Sequence, residues 1–320
     1  MRVRLSRFGV VTALLSLALV VLAAAGSAPY LYAEYALRRH EDLVGPRPLQ
    51  PVRGRWFDDY FVVEEIDPAT FAIGEPRYYQ GNYSYLILGT ERAVLVDGGT
   101  GNRDIVPVVR SLTALPVTVV PSHLHFDHVG ALGRLERTAL LDAGDLRRRA
   151  RDGMLELGRY EFLGFADGLR PPRFRVDEWW QAAATIDLGG RHLTVIDTPG
   201  HTPTSVSLYD AQRRQLFCGD FMYPGLLYAF LPGASRAAYR RTAGRLLAVL
   251  DPATQLLTAH LPDEPLLIAA PRLGTADLRA LQAALEAIDA GRSTPAGFYP
   301  RTYPVNASLR FGSGFSWTLR

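Results

Sequence analysis

The chain has 320 residues, 48% of them apolar and 21% charged, with a formal net charge of +3. That length suffices for one large core or for two domains, and that balance excludes an intrinsically disordered chain. The basic excess is small and no stripe of arginines interleaves with aromatics, so nucleic acid is not an expected partner. All 35 basic residues are Arg, and Cys218 is the single cysteine, so no intramolecular disulfide can form.

Arg2, Arg4 and Arg7 precede an uncharged run from Phe8 to Ala33. This predicts one N-terminal hydrophobic helix over 1–33. It reads either as a single-pass membrane anchor or as an export signal, with small residues at Ala23–Ala25 offering a cleavage point. The basic flank would hold the N-terminus in the cytoplasm and the remainder beyond the membrane, periplasmic or extracellular. Residues 34–55 are charged and Pro-rich and read as a linker. A single folded domain is expected over 56–320.

SYLILGTERAVLVDGG (84–99) predicts strand, turn, strand and Gly-rich loop. Residues 105–115 have helical spacing and stop before Pro116. VTVVPSH (117–123), HLTVIDTPGH (192–201), RQLFCGD (214–220) and LLTAH (256–260) share one design: an apolar strand that empties into a loop bearing His or Asp. Helical segments cover 235–250 and 275–290. The alternation predicts an α/β protein with helices covering sheets, and ligands in such folds gather beyond the strand ends.

Residues 123–128 read HLHFDH and hold three of the seven histidines. Neutral imidazole and carboxylate are the usual protein ligands of zinc. Alternation along an extended segment aims His123 and His125 at one metal, while Asp127 and His128, past the bend, can reach a second. Two metals need more donors, and the other strand ends offer His201, Asp220 and His260. His40 falls in the linker, His192 reads as a surface residue, and Cys218 as a buried small apolar side chain.

HLHFDH, then TPGHT, GD and AH, resemble the metallo-β-lactamase superfamily over roughly residues 56–265. The resemblance implies an αβ/βα four-layer sandwich, two central mixed β-sheets flanked by helices. It also implies two zinc ions, although iron or manganese would accept the same donors. His123, His125 and His201 would bind the first metal, and Asp127, His128 and His260 the second. Asp220 would bridge them, and Asp97, in LVDGG, would support the histidine loop.

A zinc pair would lower the pKa of a shared water toward about 7, so that a bridging hydroxide could attack an acyl or phosphoryl centre of a small molecule. Asp127 would carry the proton to the leaving group. In lactonase-like members a tyrosine at the offset of Tyr223 points at the substrate carbonyl, as an oxyanion donor. The expectation is therefore a hydrolase of an ester or lactone, with phosphodiester, thioester and β-lactam bonds as alternatives. PGLLYAFLPG (224–233) departs from the Gly-Arg-Phe-Phe-type stretch of the branch that acts on glutathione thioesters. The aromatic segment 145–180 is expected to cap the site and favour an apolar tail. A non-catalytic member is disfavoured because all seven ligands are present. The sequence leaves the oligomeric state open.

Overall fold

The structure, a computed structural model, describes residues 23, 26–37 and 43–315. A helix, α1, runs over 26–35. Strands β1 (Arg55–Trp56), β2 (Val62–Asp67), β3 (Thr70–Glu75), β4 (Asn82–Leu88) and β5 (Ala93–Val96) form an antiparallel meander. Helix α2 (Val106–Leu112) then crosses to β6 (Val117–Val120), parallel to β5, and β7 (Arg137–Leu141) follows in parallel. Pro107 in the first turn of α2 needs no backbone donor there, which suits the start of a helix.

An excursion from the sheet follows. It holds α3 (Leu146–Arg149), the strand pair β8 (Met154–Glu156) and β9 (Arg173–Arg175), and α4 (Arg159–Phe162). β10 (Glu178–Trp180) returns to close the first sheet beside β7. The second sheet has the order β11-β12-β13-β14-β16-β17, from β11 (Thr185–Asp187), β12 (His192–Asp197), β13 (Val206–Asp210), β14 (Gln215–Gly219), β16 (Gln255–Thr258) and β17 (Arg272–Gly274). Helices α5 (Arg236–Val249) and α6 (Thr275–Asp289) cover it, and Ser235 caps α5 by accepting from the Ala238 amide. A third, small sheet joins β15 (Gly225–Ala229) to β18 (Arg301–Pro304) and β19 (Leu309–Ser313).

Residue alternation explains the layers. Tyr83, Tyr85 and Ile87 of β4, Val94 and Val96 of β5, Phe217 of β14 and Leu257 of β16 meet in the core between the sheets. Their neighbours Leu86, Ala93 and Leu95 face the α2 side with Val108 and Val109. Leu216, Cys218 and Leu256 face α5 and α6, against Leu246, Leu278 and Leu281. A period of two on strands buried on both sides gives this four-layer αβ/βα order. Cys218 is buried, and His192 is exposed beside Asp187, as expected.

The reading of residues 1–33 as a membrane-spanning helix is corrected. Among the described residues no helix is long and apolar enough to cross a membrane. Residues 1–22, 24 and 25 of that run, and His40, lie outside the described residues. The part of the run that is described, α1, lies on the domain. Ala33 is fully buried, and the Tyr32 ring packs edge-on against Phe230 with centroids 5.1 Å apart. Glu34 accepts hydrogen bonds from Arg159 and Tyr160. Pro29 and Ala33 of this described part are buried on the domain, whereas Tyr30, Leu31 and Tyr35 are exposed. The segment read as a linker is docked too: Gly45 bonds to Arg77, and Pro51 and Arg53 pair with Ile268.

Candidate metal centre

β6 delivers its chain through Pro121 and Ser122 into His123, and a single 3-10 turn, Phe126–His128, follows. The turn is pinned from below, where the Gly98 amide donates to the His128 carbonyl over 2.7 Å. At Gly130 the loop backbone lies so close to Gly101 that a Cβ would sit 2.3 Å from the Gly101 nitrogen. β12, β14 and β16 end at the same level and deliver His201, Asp220 and His260. None of the seven predicted ligands is more than 7% exposed.

Three ring nitrogens converge in a first group. His123 Nε2 is 2.9 Å from His125 Nδ1, and His201 Nε2 is 3.0 Å from the same atom. The His201 Nδ1–H donates to the Tyr228 carbonyl over 2.9 Å, which leaves Nε2 as a bare lone pair facing inward. Burial, then the neighbouring imidazoles, hold His123 well below its usual pKa, and burial with His201 pushes His125 down to about 3. His201 is lowered by burial as well. These three rings are therefore neutral donors.

Asp127, His128 and His260 form a second group. His128 Nε2 lies 3.2 Å from Asp127 Oδ2, and His260 Nε2 lies 3.5 Å from it. Burial opposes charge on His128, but Asp127, Asp97 and Asp220 outweigh it and raise its pKa well above the usual value. His260 is raised in the same way, Asp220 outweighing burial. For Asp127 and Asp220, burial is outweighed by the facing histidines; Asp127 is strongly lowered and Asp220 pushed down to about 2.

Asp220 reaches both groups. Its Oδ1 is 3.0 Å from His260 Nε2, while its Oδ2 is 3.6 Å from His201 Nε2. Asp97 sits behind the loop. Its Oδ1 accepts from the Ser122 amide at 2.6 Å and its Oδ2 stands 3.1 Å from His128 Nδ1. At that separation the His128 nitrogens still lack hydrogen-bond geometry: both, with Asp220 Oδ1, are buried without a hydrogen bond. Clustered lone pairs, orphaned buried atoms and outer nitrogens turned to carbonyl or carboxylate oxygens fit a pair of divalent cations. The donors are mostly imidazole with carboxylate, a set that suits zinc and is open to iron or manganese.

Tyr223 lines the cavity over the centre, its ring 5.1 Å from that of His260, but its hydroxyl donates to the Leu226 carbonyl over 2.8 Å. In this arrangement the backbone takes the proton that the sequence reading assigned to a substrate oxygen. The excursion between β7 and β10 contributes Leu163 and Ala166 to the cavity wall. Phe162, Phe174 and Trp180, aromatics of the 145–180 segment expected to cap the site, are buried in the cores. Asn82 was not singled out from the sequence. Its Nδ2 donates to Asp127 Oδ2 over 2.9 Å. Gln80 was also missed, and its carbonyl receives the outer nitrogen of His260 at 3.2 Å.

The cavity has a volume of about 680 Å³, with His125, Asp127, His201, Asp220 and His260 at its floor. Phe126, Leu163, Leu226 and Leu231 are among its walls. The size is that of a small-molecule site, typically about 300–1,000 Å³.

Comparisons with known proteins agree with this geometry. A family model described as the Metallo-beta-lactamase superfamily matches residues 78–260. The chain is 30% identical over 219 residues to Acyl-coenzyme A thioesterase MBLAC2 of Homo sapiens, covering 60% of this chain and 77% of that protein. It is 29% identical over 188 residues to Hydroxyacylglutathione hydrolase of Aeromonas hydrophila subsp. hydrophila, covering 57% of this chain and 62% of that one. The metallo-beta-lactamase from Pontibacter korlensis shares the fold with a TM-score of 0.53 at 18% identity, over 71% of this chain and 99% of the other. The chain belongs to the metallo-beta-lactamase superfamily and is a metallohydrolase of that fold.

Proposed function

We propose that this chain hydrolyses thioesters that carry an apolar acyl group. The observation that carries the reading is one cavity with a floor of buried imidazoles and carboxylates beneath apolar walls. A reactive polar end and a hydrocarbon tail would lie in it together. Two relatives named as a thioesterase and as a hydroxyacylglutathione hydrolase support the thioester bond over the ester or lactone expected from Tyr223, whose hydroxyl is engaged by Leu226. The stretch 224–233 still argues against glutathione as the thiol carrier.

His123, His125 and His201 would hold one cation, Asp127, His128 and His260 the other, with Asp220 between them. Bound cations would supply Lewis acidity toward the acyl oxygen and acidify water toward a pKa of about 7. The residues of the chain do the rest. Asn82 holds Asp127 Oδ2 in place, so that this carboxylate can take the proton of the attacking water and pass it to the leaving sulfur. The acyl C–S bond breaks as the acyl carbon gains the oxygen of water, giving a carboxylic acid and a thiol. Asp97 and Ser122 keep the histidine loop in register while this happens. Phe126, Leu163 and Leu231 seat the tail and exclude bulk water.

The test is thiol release by the zinc-loaded protein from acyl-coenzyme A and acyl-cysteamine thioesters, set against the matching oxygen esters and an acyl lactone. The reading predicts the highest kcat/KM on a thioester. Preference for the lactone or the oxygen ester would return the ester reading; no turnover of any acyl substrate would remove both.

A further inference from the structure

The αβ/βα domain alone does not close the cavity over the cation centre. Tyr32, Ala36 and Leu37 line it, and so do Gly45, Pro46 and Pro48. All six precede Arg55, where the first sheet begins. The described part of this segment around Ala33 is fixed in place. Ala33 is fully buried, and Tyr32 is wedged between Phe230 and Tyr299. Glu34 takes two nitrogens of Arg159, at 3.0 and 2.8 Å, and the Tyr160 hydroxyl at 2.9 Å. Arg159 and Tyr160 begin α4, and the residue that ends this helix is followed directly by Leu163, on the same cavity wall. Tyr32 and Leu37 pack on the apolar cluster that holds Phe126, Leu163 and Leu231.

We infer that Ala36 and Leu37 bound the space for the acyl tail and so set the longest chain that is hydrolysed. The inference rests on the thioester reading and adds a specificity element that lies outside the catalytic fold. Each methylene seated against such a wall raises kcat/KM by up to about fourfold, and the gain stops where the wall begins. Leu37→Ala removes atoms from the wall and should let the rise continue to longer chains. Ala36→Phe adds a ring at an exposed wall position and should end the rise sooner. A variant that merely loosened the fold would lower all chain lengths together, and two such variants would not move the optimum in opposite directions.

The experiment uses the whole chain, zinc-loaded, and a series of straight-chain acyl thioesters from acetyl to stearoyl. A second readout needs no turnover: calorimetric binding of the matching fatty acids to the metal-free protein. Opposite shifts of the optimum in the two variants, seen in both readouts, are the expected result. Wild-type profiles in both variants, with native near-ultraviolet dichroism, would overturn the inference and leave the thioesterase reading standing. If the wild type cleaves no thioester, that reading fails by itself, and the fatty-acid arm still decides the wall: shifted binding supports it, unshifted binding overturns it. Should Leu37→Ala fail to fold, Ala36→Phe alone carries the decision, through loss of the longest chains or their retention.

Discussion

Asn82 grips Asp127 twice, its Nδ2 donating to the carboxylate Oδ2 at 2.9 Å and standing 3.2 Å from the backbone carbonyl. One amide thus fixes both the side chain and the main chain of the proposed proton carrier. Asn82→Ala should free that carboxylate and lower kcat/KM by about 10–100-fold, the usual range for residues that orient a metal ligand. The fall should appear in kcat more than in KM. Asn82→Asp should be worse, since it sets a like charge against Asp127. Steady-state kinetics beside thermal melts would check this; full kcat in the alanine variant would strip Asn82 of the role.

Asp220 touches both ligand groups, whereas His123 belongs chiefly to the first. Asp220→Ala should therefore deplete cations at both positions. His123→Ala should lose at least one cation and nearly all turnover. Metal analysis after equilibration with buffered zinc separates the two patterns. Two full equivalents in either variant would contradict the ligand assignment.

Proton release should distinguish the groups. His125, held down to about 3, and its lowered partners His123 and His201 are neutral in the metal-free fold at any physiological pH. A cation entering there displaces no proton. His128, raised well above the usual value, carries a proton near neutrality and must shed it to bind a cation, and His260, raised as well, holds its proton to a higher pH than a free imidazole. Affinity at the first group should stay level from about pH 8 to pH 6, while that at the second falls with acidity by about tenfold per pH unit for each proton displaced. The stability of the metal-free protein follows the same signs. The contribution of His128 is full below its unfolded pKa and is lost as pH rises through its raised folded value. Calorimetric zinc titration in buffers of different ionisation enthalpy measures the protons released; equal release at both steps would defeat the prediction.

At the far end of the strands Arg191 ties the two sheets together. It is 3% exposed and pairs with the fully buried Asp210 at 2.7 Å. It also donates to the Ala69 carbonyl at 2.6 Å and to the Thr70 hydroxyl at 2.8 Å, both on the first sheet's side. Arg191→Ala would strand a buried carboxylate and should cost about 3–5 kcal/mol. Urea unfolding of the metal-free protein gives the number, and a loss under about 1 kcal/mol would mean the pair is replaceable, like an exposed one.

The centre was legible because each ligand follows a strand of buried-type residues. VTVV, HLTVID, QLFCG and QLLT became β6, β12, β14 and β16 in the order read. A strand fixes where its last residue sits, so His123, His201, Asp220 and His260 had to arrive near one another. Side-chain direction was not legible. Tyr223 is where the motif puts it, but a backbone carbonyl three residues on takes its proton. Asn82 begins a strand and resembles any turn-former until Asp127, 45 residues further along the chain, is seen beside it. The apolar run ending at Ala33 misled because hydrophobicity says only that a surface avoids water. At the described end of the run, Tyr32 is received beside Phe230, a residue far away in sequence.

Gly219 carries a φ of 49°, and a methyl group there would stand 2.0 Å from the Ser122 hydroxyl. Here the tip of the second sheet presses on the histidine loop of the first, just before Asp220. The hydrolytic chemistry is thus mounted across a seam, with four of its ligands on one bank and three on the other. Cations in that seam would act as rivets as well as reagents. Chelation should then loosen one half of the molecule against the other, and hydrogen exchange at the tips of β6 and β14 should quicken together while the outer helices stay protected.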